Sequence, residues 1–312
     1  MRTLGQPPAP ASSPWRPIRG AVATAIIAAL SAGLLLAPGA TRPVLADLET
    51  GAHATVRAVR QQQGLEAVRG WPHYPSPHFV TYYGPGLVAA AAIVAQAAEA
   101  YYPTIAADFG LSDAGPRRTL VVLSPQDMAR DVDGGAAAPP LGAYYEGIIW
   151  LLNPSAFLDP GAGLALRFSS SGPVAHELTH LAADIRSGGR IPAWFDEGLA
   201  QYEDWRLTGY VWVQGDSGFG AQVYSWKQLT TDFLSLPNQA LAYRQALAAT
   251  ATVCRVRPGA CVEVLDALRQ GRPLVAAVRD VLGEPGLAAL QAGAAWQAGL
   301  EPRPGATAGP RP

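Results

Sequence analysis

Charge is scarce in this chain and of no one sign. Asp, Glu, Lys and Arg make up 15% of the 312 residues, they sum to −1, and no block of like charges occurs. That excludes nucleic acid or an acidic surface as the main partner. Cysteine is almost absent, with only Cys254 and Cys261, and histidine occurs five times. No segment repeats another, which excludes a repeat array. What is plentiful is apolar matter. Hydrophobic residues reach 49%, enough for a real core in one large domain or two lobes.

The N-terminus carries the one long uncharged run. Residues 1–19 hold Arg2, Arg16 and Arg19 with no acid, and GAVATAIIAALSAGLLLA follows over residues 20–37. Basic residues before an apolar run form the pattern of an export signal, with the tail 1–19 left in the cytoplasm. About 18 residues is near the lower limit for crossing a bilayer. Pro38-Gly39 breaks the run, and Val44-Leu45-Ala46 offers small residues to a signal peptidase. A cleaved signal and a retained transmembrane anchor both fit. Either places the chain beyond about residue 47 outside the cytoplasm. The cysteines suit that compartment. On one helix they would stand about 10 Å apart, too far to bond. Pro258-Gly259 between them implies a turn instead, so a disulfide or two buried thiols are both open.

Further along, residues 38–77 read as a polar helix or stalk and a linker. They end in WPHYPSPHF, whose three prolines mark a boundary near His78. HFVTYY and RRTLVVLS predict strands. The alanine-rich run closed by Gly110 predicts a long helix, and PQDMARDV a short one. AYYEGIIWLL, residues 143–152, predicts a further strand, and NPSAFLDPGAG a turn-rich connection. The second half reads as helices over 193–207, 239–254, 261–270, 274–282 and 287–300. The whole is an α+β pattern, with a globular domain over 78–300 and a tail, 301–312, that has no apolar periodicity and predicts disorder.

The chemistry concentrates in AHELTH, residues 175–180. In SSGPVAHELTHLAADI, Ser170 or Ser171 can cap a helix and Pro173 suits its first turn. Val174, Leu178, Leu181 and Ile185 form one apolar stripe. His176 and His180, four apart, share a face turned well over a right angle from it, at about 100° per residue. One side packs while the other offers two imidazoles to a single ion. Glu177 lies beside the pair, placed to hold a water rather than to bind the metal. With five histidines and ten glutamates, chance gives this spacing in on the order of a few chains per thousand.

A third ligand is needed. A histidine six residues after His180 would give the metzincin pattern, but that position is Arg186. Asp184 would crowd its own helix and reads as a supporting or surface group. Glu197 remains, in RIPAWFDEGLAQYED. Gly188-Gly189 ends the first helix and Pro192 opens a second, which puts Glu197 within the first two turns of a returning helix. Three protein ligands leave a fourth position for water, the catalytic arrangement. Gly198 permits close helix approach.

HELTH at 176–180 and PAWFDEGLAQY at 192–202 resemble the gluzincin metallopeptidases, specifically the peptidase MA-like group. The resemblance extends loosely over 78–300. It implies a zincin-like fold, with a small β-sheet and helices in the N-lobe, an active-site helix, and a mostly helical C-lobe. It implies Zn2+ held by His176, His180 and Glu197, with Glu177 as general base, and hydrolysis of a peptide or protein substrate. One position departs. Thermolysin-like relatives carry a histidine-supporting aspartate one turn after the glutamate ligand, and Gln201 stands there. Aminopeptidase-like relatives add a downstream tyrosine that stabilises the oxyanion. Tyr224 and Tyr243 are the candidates, and each also reads as a helix-packing residue. No signature for binding a free α-amine is present, so the expectation is an endopeptidase. By the same analogy, GIIWLL offers an edge on which an extended peptide adds as a strand. Two further readings stay open: an exported, non-catalytic zincin-fold binding module, and zinc hydrolysis of another amide, for which the companion motifs of deformylases are missing.

Overall fold

The run TLVVL is buried on both faces along its whole length, which a strand achieves only inside a covered sheet. The computed structural model describes residues 42–112, 116–132, 139–145, 147–211 and 223–291. Its strands are β1 (His73–Pro75), β2 (Phe79–Tyr83), β3 (Arg118–Leu123), β4 (Gly142–Tyr145) and β5 (Ile148–Leu152). They form one mixed sheet in the order β1-β2-β3-β5-β4, with β2, β3 and β5 parallel and β1 and β4 antiparallel at the two edges.

The helices are α1 (Arg42–Ala67), α2 (Val88–Phe109), α3 (Pro125–Asp131), α4 (Leu164–Ser171), α5 (Val174–Ser187), α6 (Ala193–Thr208), α7 (Trp226–Asp232), α8 (Gln239–Cys254), α9 (Ala260–Arg269) and α10 (Leu274–Gln291). Alternation along β3 divides the core. Leu120 and Val122 join α2, α5 and the C-terminal helices in the main cluster. Val121 and Leu123 face the other way, with Met128, Ile148 and Val68. The α+β class expected from the sequence is therefore observed.

Several expectations need correction. Residues 143–152 are not one strand. The chain turns back before Ile148, Tyr145 pairs with Ile148 and Ala143 with Trp150, and Gly147 sits at φ 91°. The apolar run conceals this turn, which depends on a glycine in the left-handed region. Ile148–Leu152 is consequently interior, between β3 and β4, and among the described residues the open edge on this side is β4. The segment 38–77 is more than stalk and linker. β1 precedes His78 and pairs with β2, while α1 buries Ala46, and Val68 just beyond it is buried too. The connection after β5 contains α4, whose last turn takes up Ser170 and Ser171. Ser171 bonds back to the Arg167 carbonyl, and Pro173 stands at the N-cap of α5. α7 is an additional helix, and the helices expected at 274–282 and 287–300 run on as α10, broken at Gly283, as far as Gln291; residues 292–300 lie outside the described residues.

Cys254 and Cys261 are joined as a disulfide across the α8–α9 turn. The apolar run 20–37 and the tail 301–312 lie outside the described residues, among which no helix is long and apolar enough to cross a membrane.

Candidate metal centre

α5 is held by the stripe that the sequence shows. Val174, Leu178 and Leu181 are buried in the main core, which turns His176 and His180 to the opposite side. α5 ends at Gly188 in the left-handed conformation, Gly189 follows with the same sign of φ, and Pro192 precedes α6. Those two glycines reverse the chain within a few residues. Trp194, Phe195 and Leu199 on α6 are fully buried anchors. They leave Glu197 on the side facing α5.

Three side chains converge as a result. Glu197 Oε2 stands 3.4 Å from His176 Nε2 and 3.8 Å from His180 Nε2, and one ligand atom from each of the three lies within 4.8 Å of the other two. Their side chains are only 12%, 10% and 21% exposed. A tetrahedral ion bound at ~2.0–2.1 Å separates its donor atoms by about 3.3–3.4 Å, close to the Glu197–His176 separation and somewhat below the Glu197–His180 one. The site can hold a metal ion.

Each imidazole also has a carboxylate behind it. His176 Nδ1 meets Asp204 Oδ2 at 3.1 Å, and His180 Nδ1 stands 3.0 Å from Asp196 Oδ1. Both contacts leave Nε2 as the atom offered to the metal. Neither Asp196 nor Asp204 was singled out from the sequence. A signal for Asp204 existed, because it lies seven residues after Glu197 and therefore on the same helix face. Gln201, where an aspartate was looked for, instead donates to the Glu197 and Tyr243 carbonyls and ties α6 to α8.

Burial and charge work against each other here. Burial alone would depress the histidines, but Asp204 and Glu197 hold His176 well above its ordinary pKa. Asp196 and Glu197 likewise push His180 up to about 9. Burial raises Glu197, but its hydrogen bond to His176 and the charge of both imidazoles bring it below the usual carboxylate value. Glu177 goes the other way. It is 5% exposed, and burial lifts its carboxyl above the ordinary value despite the neighbouring imidazoles. That is the condition of a carboxylate ready to accept a proton.

Strand β4 lies directly over Glu177. A Cβ on Gly142 would fall 2.8 Å from Glu177 Oε1, so only glycine lets the strand come this close. Of the two candidate tyrosines, Tyr243 reaches the site: burial and the neighbouring Glu197 carboxylate push its phenol well above the ordinary pKa. The Tyr224 hydroxyl accepts from the Asn238 amide, away from the ligands. Asp184 is bonded to His53, Arg57 and Tyr144. Gly198 does permit a close approach, and its neighbour is α8.

No family model matches the chain, and no curated protein is detectably similar to it.

Proposed function

We propose that this protein is an exported zinc metallopeptidase of the gluzincin type, with a zincin-like fold, that cleaves peptide bonds within a chain. The observation that carries this reading is the convergence of His176, His180 and Glu197 on one point, with Glu177 buried beside them. Two nitrogens and one carboxylate oxygen are three of the four ligands of a tetrahedral ion, a set that suits zinc in a catalytic role. The ion would supply Lewis acidity and bring the pKa of a water toward neutrality.

The chain's own residues account for the rest. Glu177 takes the proton from the attacking water at its carboxylate and returns it to the leaving nitrogen, so that one water and one amide yield a carboxylic acid and an amine. Its raised pKa favours the uptake. The Tyr243 hydroxyl, beside Glu197, would donate to the oxygen that becomes negative. The open edge of β4 passes over Glu177 and offers backbone groups to an extended peptide. The run at 20–37 delivers the domain outside the cytoplasm, as a cleaved signal or as an anchor in the membrane.

The test is to measure metal content by elemental analysis and cleavage of a peptide library in the same preparation, with and without chelator. Glu177→Gln should keep one metal per chain and lose at least about a hundredfold in rate. A variant that cleaves as fast as the parent would remove Glu177 from the mechanism.

A further inference from the structure

Asp184 lies on α5 one turn past His180, and its side chain is 15% exposed. Its carboxylate joins three elements. Oδ1 meets His53 Nε2 at 2.7 Å, while Oδ2 accepts from Arg57 Nη1 at 3.0 Å and from the Tyr144 hydroxyl at 2.7 Å. His53 and Arg57 belong to α1, and Tyr144 to β4. A carboxylate this deep is costly without partners, so α1 and β4 are both held to α5 by what they give it.

The neighbouring contacts extend the same arrangement. Arg190, in the α5–α6 connection, pairs with Glu49 of α1. Gly188 and Gly189 lie so close to α1 that a Cβ would come within 2.7 Å of Thr50 Oγ1 and 2.3 Å of the His53 ring. Toward its C-terminus α1 meets the β4–β5 hairpin, where Gly64 presses on Ile148 and Gln61 on Gly147. One helix thus touches both the turn that sets the two ligand-bearing helices and the hairpin that carries the open edge.

Spacing gives this a consequence at the site. Glu177 and Asp184 are seven residues apart on α5, so they share a face. Gly142 and Tyr144 are two apart on β4, so they point the same way. Strand and helix are therefore joined at two points, Gly142 against Glu177 and Tyr144 on Asp184.

We propose that Asp184 is a positioning residue, through which α1 sets the distance and register of the β4 edge over Glu177. Its effect on turnover rests on the metallopeptidase reading; the positioning itself does not.

The test uses the full chain carrying Tyr144→Phe, which removes one hydroxyl, and separately His53→Ala with Arg57→Ala. Metal content and affinity, amide exchange across β4 and β5, and KM and kcat on a cleaved peptide are measured for each. Both should bind one metal with affinity within about threefold of the parent, and exchange across the hairpin should rise at least about tenfold. KM should rise about tenfold while kcat changes less than about threefold, because substrate alignment is lost and the metal and base remain. Parental exchange and KM in both variants would overturn the proposal, as would loss of the metal from Tyr144→Phe. Faster hairpin exchange in a protein whose parent cleaves no peptide would uphold the positioning and defeat the peptidase reading instead.

Discussion

A metal-binding imidazole works well only when its other nitrogen is held, because the second contact selects the tautomer and the ring orientation. Asp204 performs this for His176 from two turns beyond Glu197, with its own side chain 2% exposed. Asp204→Asn preserves the shape and removes the charge. Metal affinity, measured by competition with a chelator, should fall on the order of 10–100-fold. Affinity within about threefold of the parent would mean that Asp204 does not serve the site. His176, Glu177, His180 and Glu197 were legible because helix geometry turns their spacing into direction. Asp204 was not, because its contact with His176 depends on how α5 and α6 pack, which spacing within one helix does not state.

At the scale of elements, the site depends on how closely α6 can be pressed. A Cβ on Gly198 would stand 2.3 Å from the Ala246 carbonyl oxygen and 2.3 Å from Thr250 Oγ1 on α8. The first is a backbone atom and cannot rotate away. Gly198→Ala should therefore destabilise the fold by about 1–3 kcal/mol through overpacking, read as a lower urea midpoint. It should also weaken metal binding, since Glu197 is the adjacent residue. An unchanged midpoint would show that α8 yields readily. The glycine was legible as a close-approach position, but the helix it approaches was not. The same limit applies to β4 and β5, where local β-propensity is continuous and only a glycine conformation marks the turn.

At the scale of the whole molecule, the buried histidine–carboxylate cluster links stability to pH. His180 is held at about 9 against an ordinary 6.5, and His176 is shifted in the same direction. In metal-depleted protein the folded state then binds protons more tightly than the unfolded chain. The His180 contribution is fully present below about pH 6.5 and is lost as pH rises through about 9, to a limit of about 3 kcal/mol. The melting temperature of chelator-treated protein should fall over that interval. A metal ion at this site would compete with the same protons, so its apparent affinity should rise across that interval and offset the loss. A flat melting profile from pH 6.5 to 9 in the chelated protein would contradict this account.

By itself the sequence determined the α+β pattern, the helix that presents His176 and His180 on one side, and the returning helix that supplies Glu197. Each follows from local periodicity and from glycine and proline at the turns, which act between neighbours in the chain. Tertiary structure alone decided that α1 docks through Asp184, that β4 is an edge strand among the described residues, that Tyr243 rather than Tyr224 lies beside Glu197, and that Asp204 and Asp196 stand behind the imidazoles. These are meetings of residues far apart in the chain or on different elements. They are selected by which burial leaves the fewest charges unmatched, and that balance exists only once the elements have packed.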